Sequence, residues 1–155
     1  MEERKVASRI FGVPATGESR IEISYVPASS RARGASTIAR LYDAGTLLTS
    51  VDAPHGGTCR GKACWTAKPT KLVYRNADRS ATGTQSVSLK QGLTDGSAAI
   101  TVKAKGSKIA MPDLGALTGP IVVQLQRSGG APCFGATYSA PFLRNDGVNF
   151  RDRAD

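Results

Sequence analysis

The chain has 155 residues, of which 40% are hydrophobic and 21% charged, and its net charge is +9. This length indicates one domain, and the composition is typical of a globular protein rather than a disordered one. No run of about 18 apolar residues occurs, which excludes a membrane-spanning helix. Residues 1–18 lack an apolar stripe and predict a flexible N-terminal arm, whereas residues 19–155 predict a single β-sandwich domain.

From Ser19 onward, apolar and polar residues alternate with the period of a half-buried strand. Strands are predicted over Arg20–Tyr25, Ala35–Tyr42, Thr46–Val51, Lys71–Arg75, Gln85–Lys90, Ala98–Ala104, Pro120–Gln126, Cys133–Tyr138 and Val148–Arg151. The inward-facing residues are predicted to be Ile21, Ile23, Tyr25, Leu72, Tyr74, Val87, Leu89, Ile100, Val102, Ile121, Val123 and Leu125. The sequence Asp43-Ala44-Gly45 predicts a hairpin, and the stretches 52–62 and 111–119 predict loops. The spacing favours an all-β, antiparallel sandwich of about eight or nine strands.

Three cysteines occur, so no scheme can pair all of them within the chain. We predict a Cys59–Cys64 disulfide, because Gly61 lets the short loop between them turn, with Cys133 a buried free thiol. A bond from Cys133 to Cys59 or Cys64 and three reduced thiols are the alternatives. A zinc site is disfavoured, because a single histidine accompanies the three cysteines.

No residue set in the sequence points to catalysis, and we predict no enzymatic activity and no cofactor. The single histidine, His55, lies beside Gly56 and Gly57 and is poorly placed to act as a base for a cysteine nucleophile. The aspartates, including Asp43 and Asp146, mostly lie beside turn residues and suit turn-forming roles.

Trp65, the only tryptophan, follows Cys64 directly. A tryptophan beside a cystine in a β-sandwich more often packs in the core than serves as a stacking surface for a ligand. Stacking on a sugar or a base is the alternative, for which Trp65, Tyr74 and Tyr138 are the candidates.

Several short motifs occur in an order that resembles a β-rich accessory module, often C-terminal, of secreted proteins from environmental bacteria. They comprise Cys59–Lys68, Lys71–Asn76, Ser86–Gly92, Ile100–Gly106, Pro120–Leu125, Cys133–Ser139 and Asn149–Ala154. The resemblance covers residues 28–155 and implies an extracellular location, in which a disulfide is stable. It brings no catalytic residue. The charged segment Met1–Arg9 is not a signal peptide, so we expect this chain to be either cytosolic or a mature or truncated part of something larger.

Three functions follow as expectations. The leading one is a non-enzymatic extracellular structural or interaction module, whose partner is a polysaccharide or another extracellular protein. The second is a carbohydrate-binding module. The third, and least favoured, is a basic domain that binds nucleic acid, supported by the interleaving in Lys71-x-x-Tyr74-Arg75. The basic residues are dispersed along the chain, which favours an ordinary solvated surface, and the densest cluster is Arg31 and Arg33 with Arg20 and Arg40 nearby.

Overall fold

A computed structural model describes residues 20–25, 36–90, 99–128 and 132–152, and side chains throughout these ranges except at 20–25, 127 and 132–134. The predicted arm, residues 1–18, and the arginines 31 and 33 lie outside the described residues. Within them the chain is almost entirely β, and its one helical element is a 3₁₀ turn at Leu114–Ala116. No helix in the described ranges has the length and apolarity needed to cross a membrane.

Two antiparallel sheets contain most of the described strands, as the alternation predicts. The five-stranded sheet has the order β1-β9-β8-β7-β6, and the four-stranded sheet the order β11-β10-β2-β3. The short strands β4 and β5 pair with each other, as do β12 and β13. The strands are β1 (Arg20–Tyr25), β2 (Thr37–Asp43), β3 (Thr46–Ala53), β4 (Thr58–Cys59), β5 (Lys62–Ala63), β6 (Trp65–Lys68), β7 (Lys71–Arg75), β8 (Thr84–Lys90), β9 (Ala99–Lys105), β10 (Ile121–Arg127), β11 (Pro132–Tyr138), β12 (Arg144–Asn145) and β13 (Phe150–Arg151).

The two sheets share one hydrophobic core. The five-stranded sheet contributes alternate residues such as Val87, Ile100 and Val102, and the four-stranded sheet contributes Val51 and Ile121, all at most 2% exposed. Side chains from the inner faces of both sheets belong to a single buried cluster. This is the arrangement of a sandwich, in which each sheet hides its apolar face against the other, and it confirms the predicted fold class.

Most predicted strand faces have the predicted burial. Val87, Leu89, Ile100, Val102 and Ile121 are buried. Leu125 is half-buried and packs against the core cluster from its edge. The inward face predicted for β1 involves side chains that lie outside the described ones, although β1 pairs with β9 over its full length.

Several short stretches predicted as connections contain strands. β4 and β5 lie in or at the end of the predicted loop 52–62, β6 follows directly, and β12 lies just before the predicted final strand. Each has only two to four residues, which is too short for a period to be read from the sequence. Their conformation depends on pairing with a neighbour rather than on their own pattern.

Candidate functional site

The predicted disulfide joins Cys59 and Cys64, with a Cα–Cα distance of 5.0 Å. It closes the β4–β5 hairpin, whose turn residues Arg60 and Gly61 have φ of 53° and 77°. Glycine adopts this left-handed conformation without the steric cost that a Cβ brings. The bond uses both sulphur atoms and so excludes the alternative in which either pairs with Cys133. The side chain of Cys133 lies outside the described ones.

Trp65 and Tyr74 form a cross-strand pair at the sheet edge where β6 lies. Their ring centroids are 5.2 Å apart and their planes are inclined at 55°. The Trp65 indole Nε1 donates to the carbonyl oxygen of Pro54 at 2.7 Å. Asn76 Nδ2 donates to the Tyr74 hydroxyl at 3.1 Å inside the protein. The polar atoms of both rings are therefore satisfied internally, as buried aromatic polar groups require.

Burial separates the three candidate stacking residues. Tyr74 is 2% exposed and Tyr138 is fully buried, so neither offers a ring face to a sugar or a base. This corrects the prediction that both are stacking candidates, because their rings belong to the core cluster. Trp65 is half-buried and packed against that cluster, which leaves it the one partly accessible ring of the three.

His55 lies in an exposed loop, and its backbone N–H donates to Ser36 Oγ at 2.9 Å. Among the described residues, no group of three or more histidine, cysteine, aspartate or glutamate side chains is arranged to hold a metal ion. Cys59 and Cys64 are consumed by the disulfide, so neither sulphur is a free thiol that His55 could activate.

The outer face of the five-stranded sheet carries a concentration of positive charge. Strands β6 to β9 contain six basic residues and no acidic one: Lys68, Lys71, Arg75, Lys90, Lys103 and Lys105. Their neighbours Leu72, Tyr74, Leu89, Val102 and Ala104 pack in or against the core, so alternation puts all six on the opposite side. We call this surface, the outward positions of β6 to β9, the basic face.

Three lysines of the basic face stand side by side. In the register, Lys68 of β6 is opposite Lys71 of β7, and Lys71 is opposite Lys90 of β8. Neighbouring strands are about 4.8 Å apart, so this lysine row crosses three strands within about 10 Å. Lys68 and Lys90 are exposed and Lys71 is half-buried. Like charges directly opposite each other on a sheet are destabilising, so this arrangement costs the free domain some stability.

Among the described side chains, acidic groups lie away from the lysine row. The aspartates whose side chains the structure describes are in β2, β3 and the loops, outside the five-stranded sheet. Asp78 accepts from Arg60 Nε at 2.8 Å, and Asp146 accepts from Arg144 Nε at 2.6 Å. These salt bridges neutralise arginines elsewhere and leave the lysine row without an acidic partner among the described side chains.

The register sets one boundary of the positive surface. Beyond β9, the register of β1 pairs Glu22 with Lys103. The charge of one sign is therefore strongest towards β6, at the edge where the lysine row lies.

Sequence reasoning missed the basic face. Its signal is the presence of cations at alternate positions, as in Lys103 and Lys105, but the dispersal of such pairs along the chain suggested an ordinary surface. The motif Lys71-x-x-Tyr74-Arg75 does not interleave aromatic and basic groups on one surface, because Tyr74 is in the core while Arg75 is exposed on the other side. The arginines 20 and 40 of the predicted cluster lie in different sheets.

The sequence has no significant match among protein families or among curated proteins. The structure has no significant match among solved structures. The resemblance to an accessory module of secreted bacterial proteins thus stays a prediction, and the function has to be inferred from the geometry of the chain itself.

Proposed function

We propose that this domain is a non-enzymatic interaction module that acts outside the cytoplasm as part of a larger secreted protein, and that it binds an anionic partner through the basic face. The observation that carries the proposal is the placement of all six cations of β6 to β9 on one side of the sheet. A surface of one sign attracts partners of the other sign and raises their rate of encounter.

The disulfide supports the location. Disulfides persist in oxidising compartments and are rare in the cytosol, where thiols are kept reduced. The Cys59–Cys64 bond fixes the hairpin directly before Trp65 and β6, the edge strand that begins the lysine row. An oxidising environment thus suits both the hairpin and the edge of the proposed binding surface.

The test is binding of a synthetic polyanion, polyacrylate, at several salt concentrations, with polyacrylamide as the uncharged polymer. We expect binding that weakens steeply as salt rises, because each neutralised charge releases a counterion. The lysine-row variant, Lys68→Gln with Lys71→Gln and Lys90→Gln, should bind more weakly and with a smaller salt slope, by up to about 3.

The matched control removes the same charge elsewhere: Lys62→Gln, Lys108→Gln and Arg40→Gln lie outside the five-stranded sheet. If net charge alone governed binding, the two variants would weaken it equally, and the assignment of the basic face would be wrong. No binding of polyacrylate by the wild-type domain would refute the proposed function altogether.

A second candidate, a neutral carbohydrate-binding module, rests on the partial exposure of Trp65. It predicts retention on neutral dextran or cellulose that does not change with salt and that Trp65→Phe reduces. Trp65→Phe removes the indole donor to Pro54 and part of the ring surface. We favour the basic face because it presents six side chains of one sign, whereas Trp65 is a single ring already packed against Tyr74.

A further inference from the structure

The basic face has features that narrow the class of its anionic partner, an inference that rests on the proposed function. We propose that the partner is an acidic polysaccharide and that the lysine row is its main anchor. Three features support this: the side chains that occupy the outward positions between the cations, the lack of aromatic rings among them, and the energetic cost of the lysine row.

The outward positions between the cations are occupied largely by small hydroxylated residues. Val73 of β7 lies opposite Thr66 of β6 on one side and opposite Ser88 of β8 on the other. Ser88 in turn lies opposite Thr101 of β9, so three of these four neighbouring positions carry a hydroxyl. Each hydroxyl can donate one hydrogen bond and accept others. A row of hydroxyls beside a row of ammonium groups suits a polymer that bears both hydroxyl and acidic groups, which is the chemistry of an acidic polysaccharide.

No aromatic side chain occupies an outward position on β6 to β9, among the strands of this sheet whose side chains the structure describes. The aromatic residues of these strands, Trp65 and Tyr74, occupy positions of the opposite parity and pack in or against the core. Proteins that bind single-stranded nucleic acid stack bases on exposed aromatic rings, and each stacked base adds to the affinity. The basic face lacks that contribution, so we favour a polysaccharide over a single-stranded nucleic acid.

The lysine row is the costliest part of the face. Lys71 lies between Lys68 and Lys90 in the register, so its ammonium group has a like charge on each side. An anionic group bound across the three strands relieves this repulsion, whereas the free domain bears it. Arg75, four residues from Lys71 on the same strand and exposed, extends the positive surface along the strand by about 13 Å. The positive surface therefore extends both across the strands and along them, which suits an extended polymer rather than a single small anion.

The experiment compares dextran sulfate, unmodified dextran, single-stranded poly(dT) and a DNA duplex at one ionic strength, with concentrations expressed per charge. The wild-type domain is expected to bind dextran sulfate and not dextran, and to bind either nucleic acid at least about tenfold more weakly than dextran sulfate. The lysine-row variant should lose at least about tenfold in affinity for dextran sulfate, and the control variant with Lys62, Lys108 and Arg40 changed to Gln no more than about threefold. A cooperative melting transition in each of the three proteins would show that the variants are folded.

Tighter binding of poly(dT) or duplex DNA than of dextran sulfate, lost in the lysine-row variant, would overturn the polysaccharide assignment and leave the proposed function standing. If the lysine-row variant and the control variant lose the same affinity for dextran sulfate, the lysine row is not the main anchor. Absence of binding to every charged polymer would refute the proposed function itself.

Discussion

Gly83 occupies a position that has no room for a side chain. It has φ +82°, and a Cβ there would lie 2.7 Å from Ile109 Cγ1 and 3.2 Å from the carbonyl oxygen of Lys105. Its own carbonyl accepts from the Lys105 N–H at 2.9 Å, which ties the start of β8 to the end of β9. The close approach of these two strand ends thus depends on the absence of a Cβ.

We therefore expect Gly83→Ala to lower the free energy of unfolding by about 1–3 kcal/mol, from the strained φ together with the contact. Gly45→Ala is the matched control, because Gly45 has φ +85° and a Cβ added there would meet nothing within 4 Å. Chemical denaturation of both variants measures the difference. Equal losses would mean that strain alone matters and that the contact with Ile109 relaxes at no cost.

Asp146 organises the turn between β12 and β13. Its Oδ1 accepts from the backbone N–H of Asn149 at 2.6 Å and of Val148 at 3.1 Å, while Oδ2 accepts from Arg144. These bonds, that from Asn149 foremost and then that from Arg144, lower the pKa of Asp146 from 3.8 to about 2. The ionised carboxylate is the form that the folded turn prefers.

A lowered pKa gives a definite sign to the pH dependence. The contribution of Asp146 to stability is fully present above pH 3.8, its ordinary pKa, and is lost as the pH falls through about 2. We expect Asp146→Ala to be less stable than wild type at pH 6 and to lose less additional stability between about pH 4 and pH 2. Thermal melts across this range test the prediction, and parallel curves for the two proteins would contradict it.

Strand β10 is an interior strand of the four-stranded sheet, paired with β11 on one side and β2 on the other. Ile121 is 1% exposed, whereas Leu125, on the same face, is half-buried. We expect Ile121→Ala to cost about 2–5 kcal/mol and Leu125→Ala less, about 1–2.5 kcal/mol, because less buried apolar surface is lost there. Denaturation midpoints of the two variants would rank them, and the reverse order would contradict the observed packing.

Asp43 connects elements that are distant in sequence. Its carboxylate accepts from the backbone N–H groups of Gly119 at 2.7 Å and Thr118 at 3.2 Å. The Ala44 N–H donates to the Pro120 carbonyl beside it. The sequence predicts a turn role for Asp43, and the structure adds that the side chain holds the loop before β10 against the β2–β3 hairpin.

The long strands were predictable because alternation is a local property: Ile100 and Val102 show it in their own segment. The β6 strand was not, because Trp-Thr-Ala-Lys is too short to show a period and becomes a strand by pairing with β7. The lysine row could not be predicted from the sequence either. Lys68, Lys71 and Lys90 become neighbours only once the register of three strands is fixed, and register is a property of the fold rather than of one segment.

The order of the strands decides which residues share a surface. β6 to β9 follow one another as a meander, whereas β1 joins the same sheet beside β9 from far away in the chain. Alternation predicts that each strand has two faces, but it cannot say which strands share a sheet. The all-β class and the Cys59–Cys64 bond could therefore be predicted from the sequence, whereas the basic face could not.

The one-sided placement of these cations also has a kinetic consequence. The six cations of β6 to β9, with the described aspartates outside this sheet, give its outer side a positive potential that attracts a negatively charged surface before contact. The face that would bind is then the face that arrives first, and fewer encounters are wasted on wrong orientations. Added salt should lower the association rate more than it raises the dissociation rate. The reason is that, at about 0.1 M salt, screening confines the field to about 10 Å from the surface.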